Sequence, residues 1–168
     1  LPVSKNRWRH GKIVFNVCLI LGAWVRQTRE WSVAAGDPGT KLSRRPDTLR
    51  GPDVAVIRKD REPQGRGAAG WLEGAPDVAV EVVGDAQFAS DLLEQAVEYL
   101  NAGGRLVWIL DGDRHRVVEV LPEERFRLYH AEDTLTGGEV LPGFSARVAE
   151  FFEGLPLEGN EDASPAAQ

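Results

Sequence analysis

The chain has 168 residues, 42% of them hydrophobic, which is typical of one globular domain that buries a core without cross-links. Its single cysteine, Cys18, excludes an internal disulfide framework and lies in an apolar segment, as expected of a small buried side chain in a reducing, cytoplasmic protein. We expect one domain over residues 1–153 and a disordered acidic tail over residues 154–168.

The net charge of −6 conceals an uneven distribution along the chain. Residues 1–66 contain 14 basic and 6 acidic side chains, whereas residues 67–168 contain 6 basic and 20 acidic side chains. A basic half can attract phosphate groups, but solvated surfaces of opposite sign explain the distribution equally well.

The first predicted element is a largely buried helix over residues 11–30. Basic residues precede its apolar segment 13–25, as they do in a signal peptide. The segment is too short to span a bilayer, and polar residues continue it in helical spacing. These features favour a first core helix over a signal, and we expect no membrane association.

Three strands are predicted after the helix, with long connections between them. Residues 31–35 are predicted to form a strand, and residues 44–52 a loop rich in turn residues. Apolar β-branched segments at 54–57 and 78–83 predict two further strands, separated by an exposed excursion over residues 59–75.

The second half of the chain is also predicted to contain helices and strands. A helix is predicted over residues 89–101, because Ser90 offers an N-cap near its start and two glycines follow it. Strands are expected at 106–110, 116–120 and 126–129, with a small helix near 146–152. The fold class is therefore α/β, with a mixed sheet of about five to seven strands flanked by helices.

Asp53 and Glu81 lie beside or within the two apolar strands at 54–57 and 78–83, although acids are depleted in strands. If these strands are neighbours, the two carboxylates face each other, and a divalent cation would relieve their repulsion. Spacing alone favours the plainer alternative, in which Asp53 is a turn acid and Glu81 pairs with an arginine.

An ordered series of short motifs resembles the Uma2 family, also called DUF820, of restriction-endonuclease-like proteins in the PD-(D/E)XK nuclease superfamily. The resemblance covers residues 10–152. Its motifs are His10 before the first helix, Arg50-x-Pro52-Asp53-Val54, Pro76 to Val82, Tyr99-Leu100-x-Ala102-Gly103, Val107 to Asp111 and Leu141 to Phe144.

The resemblance implies a restriction-endonuclease-like core and a metal-dependent nuclease acting on DNA. By this resemblance Asp53, Glu81 and the backbone carbonyl of Val82 bind Mg²⁺ or Mn²⁺. The superfamily lysine is missing: Val83 occupies its usual position, and Gln95 its shifted position on the following helix. No lysine follows Lys59, which is too far along its strand to substitute.

Further candidates surround this site. His10 is a candidate accessory residue, and Trp71 a candidate for base stacking. The expected function is a weak Mg²⁺-dependent DNA endonuclease, and a homodimer is a candidate assembly because related nucleases often cut both strands as pairs. The alternative is a catalytically inactive nuclease fold that binds nucleic acid or dimerises. The candidate phosphate-binding residues are Arg44, Arg45, Arg50, Arg58 and Arg61.

Overall fold

The structure is a computed structural model that describes residues 8–44, 46–66, 70–84 and 89–157. The helices within these ranges are α1 (Trp8–Thr28), α2 (Ala89–Asn101) and α3 (Val148–Phe151). The strands are β1 (Trp31–Ala35), β2 (Thr40–Ser43), β3 (Thr48–Arg50), β4 (Val54–Arg58), β5 (Leu72–Glu73), β6 (Val78–Val82), β7 (Leu106–Asp111), β8 (Arg116–Leu121), β9 (Arg125–Tyr129), β10 (Thr134–Gly137) and β11 (Leu141–Arg147).

A six-stranded mixed sheet forms the centre of the fold, in the order β1-β4-β6-β7-β8-β9. Neighbouring strands are antiparallel except β6 and β7, which are parallel. A parallel pair cannot be joined by a tight turn, so α2 serves as the crossover between β6 and β7. The predicted α/β class and mixed sheet are confirmed.

The central strands of the sheet, β4, β6 and β7, are buried on both faces. Alternate residues of β6 point in opposite directions, with Val78, Val80 and Val82 in the core cluster that includes α1 and α3. Ala79 belongs to the second cluster, beneath α2. Because both faces are covered, β6 is a continuous apolar segment in which Glu81 stands out.

Helix α1 packs on the first face through Ile13, Val17, Leu21 and Trp24, which repeat at helical spacing. It begins three residues before the predicted start and ends two before the predicted end. Within the described residues, no helix is long and apolar enough to cross a membrane.

Two small sheets lie outside the main one. The predicted loop over residues 44–52 contains β3, which pairs with β2, and β2 also pairs with β5 inside the predicted excursion. Strands β10 and β11 form a hairpin directly before α3, which is shorter than expected. Most of the predicted disordered tail, residues 158–168, lies outside the described residues.

Candidate metal centre and active site

Strand register brings Asp53 and Glu81 together. In the β4–β6 pair Val54 lies opposite Val80 and Ala55 opposite Ala79, so one further step places Asp53 opposite Glu81. Directly opposed residues of antiparallel strands have Cβ atoms about 4.5–5.5 Å apart. The carboxylate oxygen Oδ2 of Asp53 also accepts the backbone N–H of Val82 at 2.7 Å.

Glu81 is buried, with 5% of its surface exposed, and helix α2 supplies its hydrogen-bond donors. Its Oε1 accepts the side-chain amide of Gln95 at 2.8 Å and the hydroxyl of Tyr99 at 2.9 Å. Gln95 and Tyr99 are four residues apart, so they lie on one face of the helix. The predicted Gln95 thus contacts the predicted Glu81.

Electrostatics at Glu81 favour its neutral form. Burial and then the nearby negative charge of Asp53 raise the pKa of Glu81 from 4.5 to about 8. The Tyr99 hydroxyl and the backbone N–H of Asp53 act in the opposite direction, while Asp37 contributes to the rise. Burial, followed by the charge of Glu81, also raises the pKa of Tyr99. A charged Glu81 therefore requires compensation by a positive group.

His10 reaches the same site from the first turns of α1. Its Nε2 lies 3.2 Å from Oδ2 of Asp53, and both side chains are nearly buried, with 12% and 13% exposed. The candidate accessory histidine is therefore in contact with one of the two acids.

A pocket of about 700 Å³ opens beside Asp53. It is lined mainly by α1 residues and by Gly36 and Asp37 of the turn after β1. The sequence offered no signal that Asp37 belongs to the site. In the structure, a Cβ at Gly51 would lie 2.9 Å from the Asp37 carbonyl oxygen. Gly51 thus lets Asp37 pack close to the site.

The predicted phosphate-binding arginines have acidic partners. Arg50 forms two hydrogen bonds with Glu98, at 2.7 and 2.9 Å. Its positive charge opposes the rise in the pKa of Tyr99, as expected of a guanidinium group near the site. Arg45 lies outside the described residues. The other pairs are Arg44 with Glu73, Arg58 with Glu30, and Arg61 with Asp77.

The positions considered for the missing lysine lie in different surroundings. Val83 is partly buried and packs against the core cluster beneath α2. Lys59 follows the opposite end of β4 from Asp53, and Trp71 packs against Gly39. Lys12 lines the pocket beside Asp53, although its ammonium group lies against Gly154.

The side chains at this site supply only some of the ligands that a hard cation needs. Among the described residues, no group of three or more His, Cys, Asp or Glu side chains is arranged to hold a metal ion. An ion would therefore need the two carboxylates, a backbone carbonyl and water. Val82 donates its N–H towards Asp53, and the carbonyl of an extended residue points to the same side of its strand. Its carbonyl can thus join Asp53 and Glu81.

Comparisons with known proteins agree with this architecture. A crystal structure of a "putative nuclease belonging to DUF820" from Anabaena variabilis matches with a TM-score of 0.75 and 16% identity, covering 90% of this chain and 84% of that one. This likeness shows the fold. No curated protein matches the chain significantly. The model of the Uma2 family, described as "Putative restriction endonuclease", matches residues 1–149. The chain therefore belongs to the Uma2 family.

Proposed function

We propose that this chain is a Mg²⁺- or Mn²⁺-dependent endonuclease that hydrolyses phosphodiester bonds in DNA. Asp53, Glu81 and the carbonyl of Val82 would hold the ion. The observation that carries the proposal is the opposed acid pair, in which burial and the charge of Asp53 raise the pKa of Glu81 to about 8. A hard divalent cation offsets this repulsion and prefers oxygen ligands. Membership of the Uma2 family supports the same conclusion.

The residues around the ion have separate roles in this proposal. A bound divalent ion would polarise the phosphate and lower the pKa of a bound water. Tyr99 and the amide N–H of Gln95 hold Glu81 in place. The carbonyl oxygen of Gln95 remains able to accept a hydrogen bond from the attacking water. His10 holds Asp53 from the other side.

The missing lysine lowers the expected rate. Gln95 occupies the shifted position but supplies no positive charge to the phosphate. Loss of one preorganised donor to a transition state costs about 10²–10³ in rate. Arg50 is the best substitute among the predicted arginines, because its charge acts on Tyr99 and its guanidinium presents several donors. A slow enzyme is therefore expected.

The missing lysine and the paired arginines also favour a second function. Glutamine at the lysine position and arginines paired with acids suit a nuclease fold that binds nucleic acid or dimerises without cleaving. The proposal also includes DNA as the partner, a homodimer that cuts both strands and a cytoplasmic location. None of these three follows from the fold.

Ion binding is the first test. Isothermal titration of the protein with Mn²⁺ should show uptake that is lost in Asp53→Ala, because that variant removes one of two carboxylate ligands. Glu73→Ala is the matched control, since Glu73 is an exposed acid paired with Arg44 away from the site. Wild-type protein that takes up no ion, with or without DNA, contradicts the nuclease proposal.

Cleavage separates the two functions. With Mn²⁺ present, plasmid and single-stranded DNA should be cut slowly by the wild type and not by Asp53→Ala. Gln95→Lys should accelerate cleavage by about 10²–10³, because it restores a cation beside Glu81. Ion uptake without cleavage by either the wild type or Gln95→Lys favours the non-catalytic function.

A further inference from the structure

The pocket beside Asp53 has the character of a site for a flat, uncharged ring. Its volume of about 700 Å³ lies within the usual range for small-molecule sites. Trp8 and Phe15 line it from α1, together with Val14. Trp8 is 88% exposed and Phe15 59% exposed, so neither side chain contributes much to the protein core.

The pocket is continuous with the acid pair, because Asp53 lines it as well as facing Glu81. A phosphate bound at the acid pair would therefore bring its own nucleoside, or the next one along the strand, close to this pocket. Lys12 also lines the pocket, but its ammonium group lies against Gly154, and the two acids Asp37 and Asp53 in the wall disfavour a second phosphate there. A neutral base avoids this repulsion, and its amino groups can donate to the Asp37 carboxylate.

We propose that this pocket binds one unpaired nucleobase of the DNA strand whose phosphate lies at Asp53 and Glu81, stacked against Trp8 and Phe15. This inference rests on the proposed function and adds a substrate class to it. A base held inside a duplex cannot enter a pocket, so the preferred substrate is single-stranded DNA or a nucleotide turned out of the helix.

Equilibrium binding tests the inference without cleavage. Two fluorescein-labelled single-stranded oligomers of equal length are compared by anisotropy, one with bases and one with abasic sugars throughout. Both have the same phosphates, so the ratio of their Kd values reports base contacts alone. Measurements in EDTA and in Ca²⁺ separate base binding from ion binding.

Wild-type protein should bind the base-bearing oligomer more tightly. Trp8→Ala and Phe15→Ala should each reduce that preference by roughly 5- to 100-fold, as expected for loss of base stacking. Trp8→Phe should largely retain it. Leu19→Ala is the matched control, because Leu19 is 57% exposed on the same helix but lines a different pocket.

Three outcomes overturn the inference. The first is equal affinity of the wild type for both oligomers, and the second is an undiminished preference in both alanine variants. The third is a wild-type dimer in sedimentation that Trp8→Ala dissociates, because a second copy would then cover the pocket. Base preference without any Mn²⁺ uptake would contradict the nuclease proposal alone, and Mn²⁺-dependent cleavage without base preference would contradict this inference alone.

Discussion

At the scale of single residues, the chemistry depends on the surroundings of Glu81. The side chain is buried, faces Asp53 and accepts hydrogen bonds from two residues of α2. Its carboxyl group is therefore held in one orientation but is poorly stabilised as an anion. Such a group gains most from a cation, which is why we consider it the central ligand of the site.

The raised pKa of Glu81 predicts a pH-dependent stability. Between pH about 4.5 and about 8 the folded protein keeps a proton on Glu81 that the unfolded chain has released. In EDTA, the titration of Glu81 should therefore lower the free energy of unfolding by up to about 1.4 kcal/mol for each unit by which the pH rises across this range. Urea unfolding at several pH values measures the slope.

Glu81→Gln isolates the contribution of this one group. Glutamine does not titrate in this range. The slope of the free energy of unfolding against pH should therefore be more positive for the variant than for the wild type, by up to about 1.4 kcal/mol per pH unit. Addition of Mg²⁺ at pH 8 should stabilise the wild type and leave Glu81→Gln little changed. Equal slopes for the two proteins would show that Glu81 titrates normally in the fold.

At the scale of elements, the site depends on four segments that meet at one end of β4. The turn after β1 supplies Asp37, β6 supplies Glu81, α1 supplies His10, and α2 supplies the side-chain hydrogen-bond donors to Glu81. Gly51 controls the approach of the first segment, since a Cβ there would lie 3.0 Å from the Cβ of Asp37. The glycine is needed for space, because the neighbouring backbone is close on that side.

Two glycine substitutions should therefore have opposite effects. Gly51→Ala should destabilise the protein by about 1–3 kcal/mol, because the Asp37 segment must move. Gly22→Ala in α1 is the control, since no atom lies within 4 Å of the added Cβ and alanine favours a helix by about 1 kcal/mol. Urea unfolding compares the two. A neutral Gly51→Ala would show that the turn moves freely.

At the scale of the whole molecule, part of the positive charge of the basic first half is neutralised by ion pairs. The described arginines of residues 44–61 form ion pairs with acids, some from the same half and some from the acidic half. The charge asymmetry is therefore partly cancelled where the halves meet. DNA binding should depend on few direct phosphate contacts, and its affinity should decrease only modestly with salt.

Salt dependence identifies which arginine contacts DNA. Arg50→Gln should reduce the slope of log Kd against log salt for duplex DNA by about 0.9, the value for one lost phosphate contact. Arg44→Gln is the matched control, because Arg44 forms a similar pair with Glu73 on an exposed surface. Slopes are measured by anisotropy in EDTA. A slope for Arg50→Gln equal to that of the wild type would exclude Arg50 from the DNA-binding surface.

The sequence alone predicted the helices and the six strands of the main sheet, because these follow from local periodicity, and it singled out Asp53 and Glu81 as acids beside or within apolar strands. It did not predict β2, β3, β5, β10 and β11. Only the tertiary structure decided the partners. The β4–β6 register set Asp53 opposite Glu81, and the packing of α2 brought Gln95 and Tyr99 to the same carboxylate. Asp37 and the arginine pairs escaped prediction because their contacts join distant segments, for which local sequence has no signal.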